Sequence, residues 1–198
     1  MYHESKPMKK LVLKLALSTV FLAGSMAVQA EDSGHGMSIL GRLEGAPSGC
    51  TVLMSKYVLN LHHDDKNLPV QGSAINKNNA DEHVYVQLGG KNCDANEGYK
   101  NIGLKFLGMV DSVEGNTMAN TDTSSSAAKG VGIQLSDFYS KIITPNVTVA
   151  TFPGASKTGD ASTITASFPL YLSLVSLKGQ DATPGNVQTN MTVQIERL

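Results

Sequence analysis

Residues Gly185–Leu198 read GNVQTNMTVQIERL. Val187, Met191, Val193 and Ile195 share one phase, while Asn186, Gln188, Asn190, Thr192, Gln194 and Glu196 share the other. A period of two is the signature of a half-buried strand. Chain ends usually fray, yet this pattern runs to the last residues with no turn and no polar tail. The question it raises is what such a strand is for.

Working back along the chain, similar segments recur between turn residues. Ser38–Leu43 alternates around Gly41, and Cys50–Leu53 follows the turn GAPSG. Tyr57–Leu61 comes next, then His83–Leu88 with Val84, Val86 and Leu88 on one side. Ile102, Leu104 and Phe106 are in phase, as are Val131, Ile133 and Leu135, and Val147 with Val149. Phe168–Leu177 is the longest, with Phe168, Leu170, Leu172 and Leu174 aligned. Eight or nine short strands at this spacing predict an all-β sandwich. Helix signals are poor. Ala119–Lys129 is a Thr/Ser/Ala stretch with no apolar face and reads as a surface loop, as do LHHDDKNLP and SVEGNTMANTDTSSS.

The N-terminus has a different character. Lys6, Lys9 and Lys10 precede the apolar run LVLKLALSTVFLAGSMAV, which leads to Val28-Gln29-Ala30. A basic start, an apolar run and a small residue at the end describe a secretory signal peptide over residues 1–30. The cut is expected after Ala30, with Ala27 as second choice, and Met8-Lys9-Lys10 is itself a complete opening. A membrane anchor is the alternative, but Lys14 interrupts the run. Removing 30 of 198 residues leaves 168, a length that suits one domain with a sizeable core.

The net charge is −1 and becomes more negative once the basic leader is gone, and only 17% of residues are charged. No basic patch recruits nucleic acid. In an exported chain the even pair Cys50 and Cys93 reads as a disulfide. It would close a loop of about 44 residues, which by chain entropy stabilises the fold by about 4 kcal/mol.

Signals for covalent chemistry are weak. His62, His63, Asp64 and Asp65 are adjacent, and neighbours in an extended chain point to opposite faces, so they read as a solvated loop rather than as metal ligands. G-x-S-x-G, HExxH and phosphate-loop patterns are missing from the sequence. Asn146-Val147-Thr148 and Asn190-Met191-Thr192 match the glycosylation pattern, which is short enough to recur by chance. Neither cofactor, metal site nor catalytic residue is expected.

A combination of short stretches is more specific. The signal peptide and a polar lead are followed by Gly41-Arg42-Leu43 and Cys50-Thr51-Val52. Then come Val86-Gln87-Leu88, Cys93-Asp94, Phe106-Leu107-Gly108 and Gly130-Val131-Gly132-Ile133-Gln134-Leu135. Ala182-Thr183-Pro184-Gly185 leads into the terminal strand. In order and spacing the whole mature chain resembles a pilin of the chaperone–usher pathway, close to the type 1 fimbrial subunits. Gly185 matches the glycine fourteen residues from the end that marks the family's chaperone-facing strand. Two features depart from the family pattern. Arg197 stands where an aromatic residue is usual, and Glu31–Gly36 is polar where a strong donor alternates apolar residues.

The resemblance implies an incomplete immunoglobulin-like sandwich that lacks its last strand. Residues 31–43 would form an N-terminal donor extension running into the first strand, and residues 44–198 the pilin domain. A periplasmic chaperone would pair with the terminal strand through Gly185, Met191, Val193, Ile195 and Leu198. An outer-membrane usher would then pass the subunit into a head-to-tail polymer at the cell surface. There the next subunit's Met37, Ile39, Gly41 and Leu43 would replace the chaperone, and the fibre would contribute to adhesion. This strand addition satisfies an edge that is otherwise an aggregation hazard. The alternative is a self-contained secreted sandwich that binds a carbohydrate or other extracellular ligand.

Overall fold

The computed structural model of the chain describes residues 36–38, 51–61, 63, 67–89, 102–153 and 167–198, all within the compact unit Gly34–Leu198. Those residues form β1 (Gly36–Ser38), β2 (Thr51–Met54), β3 (Val58–Asn60), β4 (Glu82–Gly89), β5 (Ile102–Leu107) and β6 (Met118–Ala119). They continue with β7 (Val131–Ser136), β8 (Ile142–Ile143), β9 (Val149–Thr151), β10 (Ser167–Ser176) and β11 (Thr192–Arg197). No α-helix occurs among the described residues.

The ladders between these strands are antiparallel. One sheet runs β2-β4-β10-β7-β6, with β8 also on β7; a second runs β11-β5-β9; and β1 pairs with β3. Val84, Val86, Phe168, Leu170, Ile133 and Leu135 of the first sheet share one core with Leu104, Phe106, Ala150 and Val193 of the second. Phe168 meets Phe106 at 5.9 Å and Phe152 at 6.0 Å between ring centroids, the latter pair edge to face. Aromatic pairs of this geometry add to the burial of the rings themselves. The described strands form an all-β sandwich, the fold class expected from the alternation, and the immunoglobulin-like form is the one that the resemblance implied.

β10 does not alternate. Phe168 through Val175 are all buried, and so is the whole of β7. The connection from β3 to β4 is the reason. Val70 forms a parallel bridge with Ser176, and the Gln71 N–H donates to the Ser176 carbonyl at 2.8 Å. From β7, Gln134 accepts the Gly72 N–H at 2.7 Å and donates to the Ser73 carbonyl at 2.6 Å. Ile75, Tyr171, Val175 and Leu177 are buried outside the central core. Burial pushes the Tyr171 phenol up. A strand covered on both faces tends to a near-continuous apolar run; in the sequence one phase is aligned, Phe168, Leu170, Leu172 and Leu174, and the burial of Tyr171, Ser173 and Val175 in the other phase is not read from it.

Asp111 ties this layer together. Its Oδ1 accepts the N–H groups of Val113, Glu114 and Gly115 at 2.8, 2.8 and 3.2 Å. Its Oδ2 accepts the Thr117 N–H and hydroxyl at 3.0 and 2.9 Å and the Gln71 amide at 3.1 Å. Burial alone would push the carboxyl up, but the bonds from Glu114, Thr117 and Val113 outweigh it and hold Asp111 well below the usual carboxylate range. A carboxylate accepting several backbone amides behaves this way.

Two expectations change. Val147 lies in the turn before β9 and is 70% exposed, while Ala150, one place out of phase with Val149, faces the core. Val147 and Val149 share a phase, but it is the outward one, and the left-handed Asn146 (φ 62°) lies in the turn that precedes them. The stretch read as a surface loop is partly anchored: Met118 and Ala119 pair with Ile133 and Gly132, and Ala128 is buried. Of the first strand-like segment, Ser38–Leu43, Ser38 is described, as the last residue of β1, which is in register with β3 through Gly36↔Asn60, Met37↔Leu59 and Ser38↔Val58; residues 39–43 lie outside the described residues.

Candidate strand-docking site

β11 pairs with β5 through Thr192↔Leu107, Val193↔Phe106, Gln194↔Lys105, Ile195↔Leu104, Glu196↔Gly103 and Arg197↔Ile102. Among the described residues β5 is the one strand that neighbours it. The alternation of the sequence is realised in this register. Met191 and Val193 are 1% and 2% exposed in the central core, and Ile195 packs against it half-buried. Leu198 ends the chain 38% exposed, on the outside.

The approach to β11 is more tightly specified than its sequence suggests. Asn186 bridges Ala127 in parallel; its N–H donates to the Ser126 carbonyl at 2.7 Å, and its own carbonyl accepts the Ala128 N–H at 2.9 Å. The Asn120 amide donates to the carbonyls of Ala128 and Asn186, and its oxygen accepts the Gln188 N–H, all at 2.9 Å. Thr121 donates its N–H and hydroxyl to the Gln188 carbonyl at 2.6 and 2.8 Å. Gly185 begins the run at φ 154°, and a Cβ there would lie 2.5 Å from both the Ser126 carbonyl oxygen and the Ala128 nitrogen. Only glycine fits so close to another backbone. The sequence singled out Gly185 but not Asn120, Thr121 and Ser126, whose composition matches that of any exposed loop.

Thr189 falls in the same inward phase, between Val187 and Met191. It is fully buried, and its hydroxyl has no hydrogen-bond partner among the described residues.

Of the proposed donor positions, Met37 sits in β1 beside its own chain's β3, while Ile39, Gly41 and Leu43 lie outside the described residues. So do the signal segment 1–30, Cys50 and Cys93. The strands next to the two cysteines are neighbours: Thr51 pairs with Gly89.

Two of the residues weighed for chemistry, His63 and Asn146, have structural partners. His63 Nδ1 lies 2.7 Å from Asp81 Oδ1 and Nε2 lies 3.0 Å from the Asn67 carbonyl oxygen, while Asp81 Oδ2 accepts the Leu174 N–H at 2.8 Å. His63 thus fastens its segment to β10 instead of standing in solvent; His62, Asp64 and Asp65 lie outside the described residues. No cluster of three metal-ligating side chains occurs among the described residues. The Asn146 amide donates to the Gly108 carbonyl at 2.8 Å and accepts the Gly108 N–H at 3.0 Å, so the amide of the first glycosylation pattern is engaged within the fold.

The site is thus an all-β sandwich whose last described strand packs its inward phase into the core, entered through the tightly packed Gly185. The family model for fimbrial proteins matches residues 67–196, and the chain belongs to that family. It is a subunit of a cell-surface pilus, in a structural family generally without enzymatic activity, and its assembly is with other pilin subunits. No curated protein matches the chain.

Proposed function

We propose that this pilus subunit is built into its fibre by donor-strand exchange. On this reading residues 1–30 direct export, residues 31–43 are the donor extension and residues 44–198 are the pilin domain, stapled by Cys50–Cys93. A periplasmic chaperone pairs with β11, and an outer-membrane usher hands the subunit to a head-to-tail polymer that contributes to adhesion. The observation that carries the reading is β11 itself, a terminal strand that turns Met191 and Val193 into the core and has one strand neighbour among the described residues. Met37, Ile39, Gly41 and Leu43 of the next subunit would supply the other neighbour. Donation requires Gly36–Ser38 to leave β3, so the pairing of β1 belongs to the subunit before incorporation.

One observation favours the self-contained sandwich: Met191 and Val193 are covered within a single chain. The two readings separate on a tag added after Leu198. If the terminal carboxylate sets the pairing register, which one residue of slip would invert, the tagged subunit fails to co-purify with its chaperone and is degraded. Normal recovery of a tagged, monomeric subunit would favour the self-contained sandwich.

A further inference from the structure

His63 and Asp81 stand at the two ends of the stretch that covers β10 and β7. His63 Nδ1 lies 2.7 Å from Asp81 Oδ1, and its Nε2 lies 3.0 Å from the Asn67 carbonyl oxygen. Both neighbours are acceptors. A neutral imidazole has one N–H, so its second nitrogen would set a lone pair against an oxygen; an imidazolium donates from both. Asp81 is fixed in turn, because its Oδ2 accepts the Leu174 N–H at 2.8 Å and its own N–H donates to the Ser173 hydroxyl at 3.1 Å. The Asp81 side chain is 7% exposed and that of His63 22%, so water screens the pair poorly. Asp81 is the charged group that faces the ring among the described residues. Glu82, one place on, turns instead to Lys56 and His83, and β10 meets Asp81 with a main-chain N–H and a hydroxyl. His62, Asp64, Asp65 and Lys66 flank the ring in the chain and lie outside the described residues.

We infer that His63 is an imidazolium at neutral pH and that its two N–H groups clamp the base of this cover, a clamp that weakens as the ring loses a proton in mild alkali. The inference is independent of how the subunit enters its fibre. Both acceptors favour the charged ring, the carboxylate by attraction and hydrogen bonding and the carbonyl by hydrogen bonding. Burial works the other way, but the ring is only partly buried. A histidine that holds its proton more tightly folded than unfolded adds stability that is complete below the unfolded value of about 6.5 and is lost as pH rises through the folded value. Beyond the clamp, the cover is held by the Gln71 N–H on the Ser176 carbonyl at 2.8 Å and the Gly72 N–H on Gln134 at 2.7 Å. Release of the base lets these bonds open more readily.

The test uses the exported subunit, isotope-labelled at its histidine ring nitrogens, with His63→Gln to assign the ring. At about pH 7.5, where an ordinary histidine is mostly neutral, the nitrogen chemical shifts of His63 should report a proton on both ring atoms. Asp81→Asn should leave one proton at that pH, while a double variant, Asp64→Asn with Asp65→Asn, should keep two. From about pH 7 to about pH 9, amide-exchange protection at Gln71 and Gly72 should fall roughly three- to tenfold in the wild type and stay level, at a lower value, in His63→Gln. A His63 ring that is neutral at about pH 7.5 would overturn the inference. So would loss of the second proton in the double variant instead of in Asp81→Asn. A charged ring whose titration leaves protection unchanged would overturn the clamp. Should Asp81→Asn fail to fold, the wild-type shifts and exchange profile still decide.

Discussion

Leu198 and Val149 both reach into the space over Gly103. Leu198 Cδ2 lies 3.1 Å from the point that a Cβ on Gly103 would occupy, and Val149 Cγ1 reaches the same point from β9. Gly103 sits between them on β5, opposite Glu196. The missing side chain lets the last residue of the chain and the edge strand β9 close over the middle strand. Gly103→Ala should therefore displace Val149 and lift Leu198, destabilising the domain by about 1–3 kcal/mol. Urea unfolding of the mature chain reads this, and faster amide exchange should concentrate at Gln194–Arg197. An unchanged midpoint would show that both side chains simply rotate away.

Gly185→Ala should cost more than a glycine-to-alanine change on an open surface. The new methyl meets the Ser126 carbonyl and the Ala128 nitrogen, neither of which can rotate aside. A loss of about 2 kcal/mol or more is expected, with β11 released first. Amide exchange across Asn186–Val193 measures it, and protection equal to wild type would refute it.

The predictable elements were those with a period. β4, β5, β7 and β11 were legible because Val84–Leu88, Ile102–Phe106, Val131–Leu135 and Met191–Ile195 alternate, and β10 because Phe168, Leu170, Leu172 and Leu174 align over the longest stretch. β6 and β8 have two residues each and carry no period at all. The Val70–Asp81 cover and the Asn120–Thr121 clamp were not legible for a different reason. They are held by side-chain amides, hydroxyls and carboxylates bonding to main chain, and such bonds leave no spacing in the sequence. The inward phase of the terminal strand could be read, but the polarity of Thr189 at its start acquires meaning only when its burial is known.

Asp111 gives the domain an acid limit. Its folded-state pKa is depressed, so its contribution is complete above the unfolded carboxylate value near 4 and is lost as pH falls through the lower folded value. Below about pH 4 the unfolding midpoint should fall with a component that Asp111→Asn removes. At neutral pH the same variant should lose at least about 2 kcal/mol, since six donors then face an amide in place of a carboxylate. Thermal unfolding between pH 2 and 7 checks both; parallel acid limbs in the two proteins would assign the effect to other carboxylates.

Cys50 and Cys93 should be bridged in the exported protein. Thr51↔Gly89 brings the flanking strands into register, and the bond would close β2 onto the far end of β4. Mass spectrometry of peptides from non-reduced fibres tests it, and two free thiols would refute it.

On the strand-exchange reading, Ile39→Asp should leave subunit folding and chaperone capture intact while blocking incorporation, since burying a charge in a neighbour's apolar core carries a heavy desolvation cost. Counting fibres on cells expressing the variant decides this, and normal numbers would place the donor register elsewhere.

The strand order has a consequence for the time before the fold exists. β4 and β7 flank β10, and β5 lies beside β11, so two central ladders wait for strands near the end of the chain. As the chain is made from its N-terminus, β5 is exposed for several seconds, at roughly 5–20 residues per second, before Thr192 follows. Its inward face, with Leu104 and Phe106, has no complete ladder during that interval. Non-local pairing of this kind slows folding further. The hazard is therefore greatest while the sheet is half made, well before any fibre is within reach.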